Sequence, residues 1–280
     1  MASTCPIPTP IVAAAPRPRV QALGISFDST DVAETAALIA QLPSKRENSA
    51  RIYVTPNIQH VAEMRRNPEL RRAIHEADLL TCDGFPLVSY ARLSGCRLPG
   101  RITGREVAER LMLHTPLAPD HVLFFLVDSA ETANAVKEWA RHRELAGRVL
   151  VEVAPPRFGE DRVACAALAQ RIREARTTIL FLGLGAPKCE LFASRFRGQL
   201  GGCWALCIGQ SVRVALGLVN APPELWVKLR MEWAWRIIKE PRRLSRRYAS
   251  ASLGFAAAVL SDVLSSERAR LTTPAVPTRS

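Results

Sequence analysis

Short apolar runs alternate with longer amphipathic stretches along most of this chain, and no other feature restricts its fold as much. Strand-like runs occupy 21–27, 51–55, 79–82, 121–127, 149–153, 178–182 and 203–208. Helix-like stretches fall between most of them, at 31–42, 58–65, 68–77, 85–93, 105–113, 130–142, 161–175 and 187–196. Strand–helix alternation predicts an α/β fold: a Rossmann-like, largely parallel sheet flanked by helices. Ligands of such sheets bind beyond the carboxyl ends of the strands. The loops after Thr55, Cys82, Leu182 and Ile208 are therefore where a site is expected. Residues 1–20, rich in Pro and Ala, are expected to lack structure, and 21–221 to form the α/β domain. A basic helical, membrane-associating appendage is expected over 222–264, and a flexible tail over 265–280.

The segment 225–247, LWVKLRMEWAWRIIKEPRRLSRR, sets eight basic residues against two acidic ones. Its net charge of +6 is half of the chain's +12, and it holds Trp226, Trp233 and Trp235. Such a segment suits an anionic surface with an apolar boundary, as a membrane rich in anionic lipid presents. A nucleic acid is the competing partner, since Arg and Trp also suit phosphates and bases. A helix packed by its tryptophans, with a solvated basic face, is the plain alternative. The charge sits on one segment while the other loops resemble small-molecule sites, so no nucleic-acid partner is expected. No run approaches the roughly 20 apolar residues of a transmembrane helix, so membrane contact is expected to be peripheral. The N-terminal residues lack the basic start and apolar core of a secretory signal. Seven scattered cysteines with no CxxC read as reduced, mostly buried thiols in a cytosolic compartment.

Four loops carry residues suited to chemistry. In GLGAPKCE (183–190), Gly183 and Gly185 let backbone amides approach an anion, and Pro187 suits the first turn of a helix whose start favours phosphate. An ordinary strand-to-helix turn explains the same pattern. In CDGFPLV (82–88), Asp83 follows an apolar strand, where a carboxylate can take a proton from a hydroxyl nucleophile or cap a helix. In TPNIQH (55–60), Thr55 and Asn57 can hydrogen-bond a sugar or base, or Asn57 can cap; His60 reads as a packed or surface histidine. In RITGRE (101–106), Arg101 stands beside a turn suited to phosphate, though Thr103 can also simply cap. There is no Asp-x-Asp pair and no metal-spaced His/Cys/Glu cluster, so neither metal nor cofactor is expected, and arginines and helix ends must stabilise any departing diphosphate.

These pieces, in this order, together with EWAWRIIKEPRRLSRRY, resemble the WecG/TagA/CpsF family, glycosyltransferase family 26. The last element matches the family's pattern through Glu232, Trp233, Arg236, Glu240, Pro241, Arg243 and Arg246, and the resemblance spans about residues 22–255. It implies an inverting, metal-independent transfer of a sugar from a UDP-sugar to a polyprenyl-diphosphate-linked saccharide, as in exopolysaccharide or other surface-polysaccharide assembly. The implied location is peripheral, on the cytoplasmic face of a bacterial inner membrane. Asp83 matches the family's general base; Thr55, Asn57 and Arg101 match substrate-contacting positions. The expected substrate-binding set also includes Thr103, Gly183, Gly185, Lys188, Cys189, Glu190 and Gly209. Arg236, Arg243 and Arg246 match arginines of an appendage that closes over the site and recognises the lipid diphosphate. Two departures stand out. Cys189 replaces a common Gln, and Arg213, in IGQSVRVALGLVNAP, stands where the family commonly has an acid. They leave open the donor sugar (UDP-N-acetylmannosamine, its uronic acid, or UDP-glucose). They also keep a weakened homologue serving as an assembly partner as an alternative. Relatives of this type can self-associate, so a homo-oligomer is also open.

Overall fold

The structure, a computed structural model, describes residues 17–44, 47–98, 100–219, 223, 225–226, 234–235, 238 and 241–272, with side chains of the last stretch described over 249–264. Its centre is one sheet built from β3 (Arg51–Val54), β4 (Leu79–Leu80), β5 (Leu123–Val127), β6 (Val149–Val153), β7 (Ile179–Leu182) and β8 (Trp204–Cys207). All neighbours pair in parallel, in the order β4-β3-β8-β7-β5-β6. The register aligns Ile52, Ala205, Leu180 and Phe124 in one row and Tyr53, Leu206, Phe181 and Phe125 in the next. Successive side chains of a strand point to opposite faces, so the two rows feed two separate cores.

The first core packs Val61 and Met64 of α2 (Ile58–Met64), Leu70 and Ile74 of α3 (Pro68–His75), and Leu87 of α4 (Phe85–Leu93). It continues through Leu168 and Ile172 of α7 (Arg162–Glu174) and Phe192 of α8 (Lys188–Arg195). The second packs Ala36 and Ile39 of α1 (Val32–Ile39) and Val107 of α5 (Gly104–Glu109), which runs on into a π-helical turn over Arg110–His114. Val136 of α6 (Ala130–His142) and Val212 of α9 (Ser211–Ala215) complete it. Phe125 and Phe181 stack in it, with centroids 4.3 Å apart. Helix starts are fixed locally: the side chains of Asp31, Asn57, Asn67, Thr103, Ser129 and Asp161 each accept a first-turn N–H.

One expected strand is corrected. Residues 21–27 are not a single strand but the ends of two, β1 (Arg19–Ala22) and β2 (Ile25–Asp28), paired antiparallel outside the main sheet. The chain reverses at Leu23 and Gly24, both with positive φ (52° and 73°). Asp28 then accepts Leu80 N–H at 2.9 Å and Arg19 Nε–H at 3.1 Å, which ties the hairpin to the β4 edge. β1 therefore begins two residues before the expected domain boundary. The short helix α9 also went unforeseen, because its five residues hold too little periodicity to read.

The last helix, α10 (Pro241–Thr272), starts at a proline, as the first turn of a helix tolerates, and extends past the expected boundary at 264. It packs against α2. Gly254 faces Ala62, and Tyr90 of α4 donates to Asp262 Oδ2 at 2.5 Å. Ala251 and Ala258 are buried, so this part of the expected appendage belongs to the packed domain. A Cβ added at Gly254 would sit 2.5 Å from Ala62 Cβ, closer than any real pair. Upstream, the rings of Trp226 and Trp235 pack on each other with centroids 5.9 Å apart, while Leu225 and Ile238 are exposed.

Gly254→Leu should therefore destabilise the whole domain by about 1–3 kcal/mol, the usual cost of overpacking a tight contact. Urea unfolding measures this; an unchanged midpoint would show that α10 does not dock on α2 in solution.

Candidate active site

The central strands deliver their loops to one place. β3 and β8 are neighbours, yet α2 after β3 packs on the first face and α9 after β8 on the second. The chain thus parts beyond their carboxyl ends, where doubly wound sheets hold ligands. Printed contacts link the expected loops around this crevice. Asp83 N–H donates to Pro56 O at 2.9 Å, and Ile102 N–H donates to Cys82 O at 2.9 Å. The α carbon of Gly104 faces Ile208 and Ser211 so closely that an added Cβ would meet them at 3.1 Å. The segments holding Thr55, Asn57, Asp83, Arg101, Thr103 and Gly209 are therefore brought together.

Asp83 is half-buried on the loop after β4. The cap position of α4 is Gly84, with φ of 128° and no side-chain cap, so Asp83 does not occupy the capping position that was its alternative. A side chain at that φ would be strained, so glycine lets the chain turn from the carboxylate into the helix. Below the loop, Tyr53 Oη and Thr81 Oγ1 are 2.7 Å apart, and Thr81 donates to Ile102 O at 3.3 Å. Burial pushes the Tyr53 phenol far up, keeping it neutral. Neither Tyr53 nor Thr81 stood out in the sequence, because strand residues of these types carry no motif.

Asn57 and Thr103 both cap. Asn57 Oδ1 accepts from Gln59 N–H (3.0 Å) and His60 N–H (3.4 Å), so any donation to a substrate falls to its amide nitrogen. Thr103 Oγ1 accepts Glu106 N–H at 3.1 Å, and Glu106 Oε2 accepts Thr103 N–H at 2.8 Å. Thr55 is buried at the end of β3. The Arg101 guanidinium lies 4.7 Å from the Phe85 ring centroid and 3.9 Å from Glu106 Oε1, which orients it along the cleft wall.

The loop before α8 divides. Gly185 and Lys188 are exposed, whereas Gly183 is buried, with Leu126 O only 3.1 Å from a built Cβ. Two expected substrate contacts are corrected. Cys189 is fully buried, and its thiol donates to Leu184 O at 3.1 Å and Leu182 O at 3.4 Å; it packs rather than faces the cleft. Glu190 is 3% exposed, with Oε1 3.3 Å from His60 Nε2 and Oε2 without a protein partner. Both side chains turn inward because positions two and three of α8 face the sheet. His60, read as packed or surface, is buried.

Arg213, the departure that reversed a charge, is neutralised locally. It reaches Asp128 Oδ2 at 3.2 Å and Glu131 Oε2 at 2.9 Å beyond the end of β5. Arg236 lies outside the described residues, as do the side chains of Arg243 and Arg246. Among the described residues no helix is long and apolar enough to cross a membrane, and no three metal-binding side chains cluster.

Fold and cleft define a parallel α/β enzyme domain with a carboxylate at its switch point. The model of a family described as "Glycosyl transferase WecG/TagA/CpsF family" matches residues 20–269. The chain belongs to that family and is a glycosyltransferase. It is similar to a protein of Bacillus spizizenii (strain ATCC 23059 / NRRL B-14472 / W23) named N-acetylglucosaminyldiphosphoundecaprenol N-acetyl-beta-D-mannosaminyltransferase. The two are 26% identical over 203 residues, covering 71% of this chain and 76% of the relative.

Thiol chemistry separates the cleft from the core. Burial pushes the Cys203 thiol up to about 12 and raises those of Cys82, Cys189 and Cys207 well above the ordinary thiol value, the last two with the Glu190 carboxylate adding to it. Alkylation of the native protein at pH 8 should thus modify half-exposed Cys96 at least about tenfold faster than these four. Peptide mapping reads the rates; labelling of Cys189 as fast as Cys96 would return its thiol to the cleft surface.

Proposed function

We propose that this glycosyltransferase moves a sugar from a UDP-sugar, with inversion and without metal, onto a saccharide carried on a polyprenyl diphosphate. The product serves bacterial surface-polysaccharide assembly, such as an exopolysaccharide, and the enzyme works at the cytoplasmic face of the inner membrane. The acceptor class is supported by the name of the Bacillus spizizenii relative. The observation that carries the mechanism is the convergence of the Thr55–Asn57 turn, Asp83 and the Arg101–Thr103 segment at the one crevice, with Asp83 N–H held by Pro56 O.

In this reading Asp83 removes the proton from the acceptor hydroxyl, whose oxygen then bonds to the anomeric carbon. The bond from that carbon to the donor's phosphate oxygen breaks in the same step, and its electron pair leaves with UDP. The charge developing there is met by Lys188, the exposed amides around Gly185 and the start of α8. Arg101, oriented by Phe85 and Glu106, supplies a further cation. Arg236, Arg243 and Arg246 bind the acceptor's diphosphate, for which a guanidinium fork is suited. The basic segment 225–247 and its tryptophans draw the enzyme to anionic lipid.

Asp83→Asn should lower turnover by at least about a hundredfold, the lower range for losing a general base, with UDP affinity little changed. Transfer of radiolabelled sugar to a synthetic lipid-linked acceptor, measured in EDTA, is the assay. Near-normal turnover of the variant, or loss of the wild type's activity in EDTA, would refute the base or the metal-free step respectively.

Replacing Arg236, Arg243 and Arg246 together with Ala should impair transfer more than binding to anionic vesicles, since five basic residues of 225–247 remain. Co-sedimentation alongside the transfer assay tests this. Equal losses in both would make these arginines general membrane anchors rather than diphosphate ligands.

A further inference from the structure

His60 and Glu190 are 130 residues apart in sequence, and both are buried, at side-chain exposures of 7% and 3%. His60 Nδ1 lies 3.2 Å from Asn57 N and 3.0 Å from Asn57 Oδ1, and Nε2 lies 3.3 Å from Glu190 Oε1, so the ring bridges the Asn57 cap and the buried carboxyl group. A buried carboxylate whose other oxygen lacks a protein partner is expensive, and an apolar pair of similar volume would pack this spot more cheaply. Where the pair sits accounts for that cost. His60 lies in the first turn of α2, directly after the Thr55–Asn57 turn; Glu190 lies in the first turn of α8, directly after the glycine loop. The Thr55–Asn57 turn in turn holds the base-bearing loop, through Pro56 O and the Asp83 amide at 2.9 Å and through Asn57 Cβ, 3.9 Å from a built Gly84 Cβ.

We infer that Glu190 and His60 are positioning residues that lock the donor-side loop before α8 to the Thr55–Asn57 turn, and through it set the place of Asp83. This inference rests on the proposed transferase reading for its catalytic consequence. Neither side chain touches substrate. Glu190 orients the imidazole, the imidazole holds Asn57 at its backbone N and its Oδ1, and the turn carries Pro56 O to Asp83. The two substrate loops then move as one unit, so a displacement at α8 reaches the base.

The variants separate the two links. His60→Asn keeps a polar group near the Nδ1 position but loses Glu190; His60→Gln keeps one near Nε2 but loses Asn57. Glu190→Leu removes the orienting carboxyl group, whereas Glu190→Gln retains a polar partner for Nε2. Both His60 variants and Glu190→Leu should lower kcat by roughly ten- to a hundredfold, the range for misplacing a catalytic group by up to about an ångström. KM for the donor should change less than about threefold, and Glu190→Gln should recover most of the turnover lost in Glu190→Leu. A second readout needs no substrate. Hydrogen exchange of the Gln59, His60 and Asp83 amides should accelerate at least about tenfold in Glu190→Leu, while α6 amides keep their rates. The idea is overturned if those amides exchange as in the wild type, or if turnover falls only in proportion to the unfolded fraction. Should the wild type transfer no sugar to any lipid-linked acceptor, the transferase reading fails, and the exchange experiment still decides whether the loops are coupled.

Discussion

Burial of the central strands on both faces is the constraint from which the rest of the structure follows. β7 and β8 expose no residue at all, so their side chains must be apolar above and below the sheet. Polar chemistry is thereby pushed off the strands and into the loops beyond their carboxyl ends. The edge strand β6, open on one side, shows the contrast: none of its residues is fully buried, and it carries Glu152 in an exposed ion pair with Arg171. Because β3 and β8 send their helices to opposite faces, the loops part where polar residues are densest. The crevice results from packing two helical layers on one sheet, and the loops that carry Asp83 and Arg101 meet there.

The C-terminal helix joins two roles that its sequence seemed to keep apart. Its middle is part of the core, with Gly254 allowing the backbone to lie against Ala62 and the Tyr90–Asp262 hydrogen bond closing the far end. Its first turns carry the basic positions to which the proposed reading gives the lipid diphosphate. Further along the same helix Leu253 and Leu260 are exposed, at 74% and 61%, next to the basic segment in sequence. Exposed leucines close in sequence to basic residues are in keeping with the peripheral membrane association proposed above.

Charge inside the cleft is managed by pairing. Arg213 looked like a reversed charge in the nucleotide region, but Asp128 and Glu131 take it up at the end of β5. Glu190, expected at a ligand, turns inward to His60. Cys189, in the place of a commoner Gln, gives its hydrogen bond to the backbone carbonyls of its own loop. These two side chains lie behind the loop, whose exposed residues are Gly185 and Lys188.

The α/β class, the parallel sheet and the loops that gather at one end were legible in the sequence, because hydrophobic periodicity is local and two-sided burial writes it plainly. At Asp83 the sequence offered two uses, proton transfer and helix capping, and only the structure, with Gly84 at the cap of α4, sets the second aside. Caps could be read at Asn57 and Thr103, whose side chains act within three residues of their own position. What the sequence could not contain was anything set by distance along the chain. A run at 21–27 read as one strand because nothing local separates a strand from a tight hairpin when the turning residues are Leu23 and Gly24. The pairing of His60 with Glu190, the neutralisation of Arg213 and the docking of Gly254 on Ala62 join residues 82 to 192 positions apart. Only the folded sheet and its helical layers bring those groups together, since a hydrogen bond or a close backbone approach acts over a few ångströms and leaves no periodic trace in either partner's own segment.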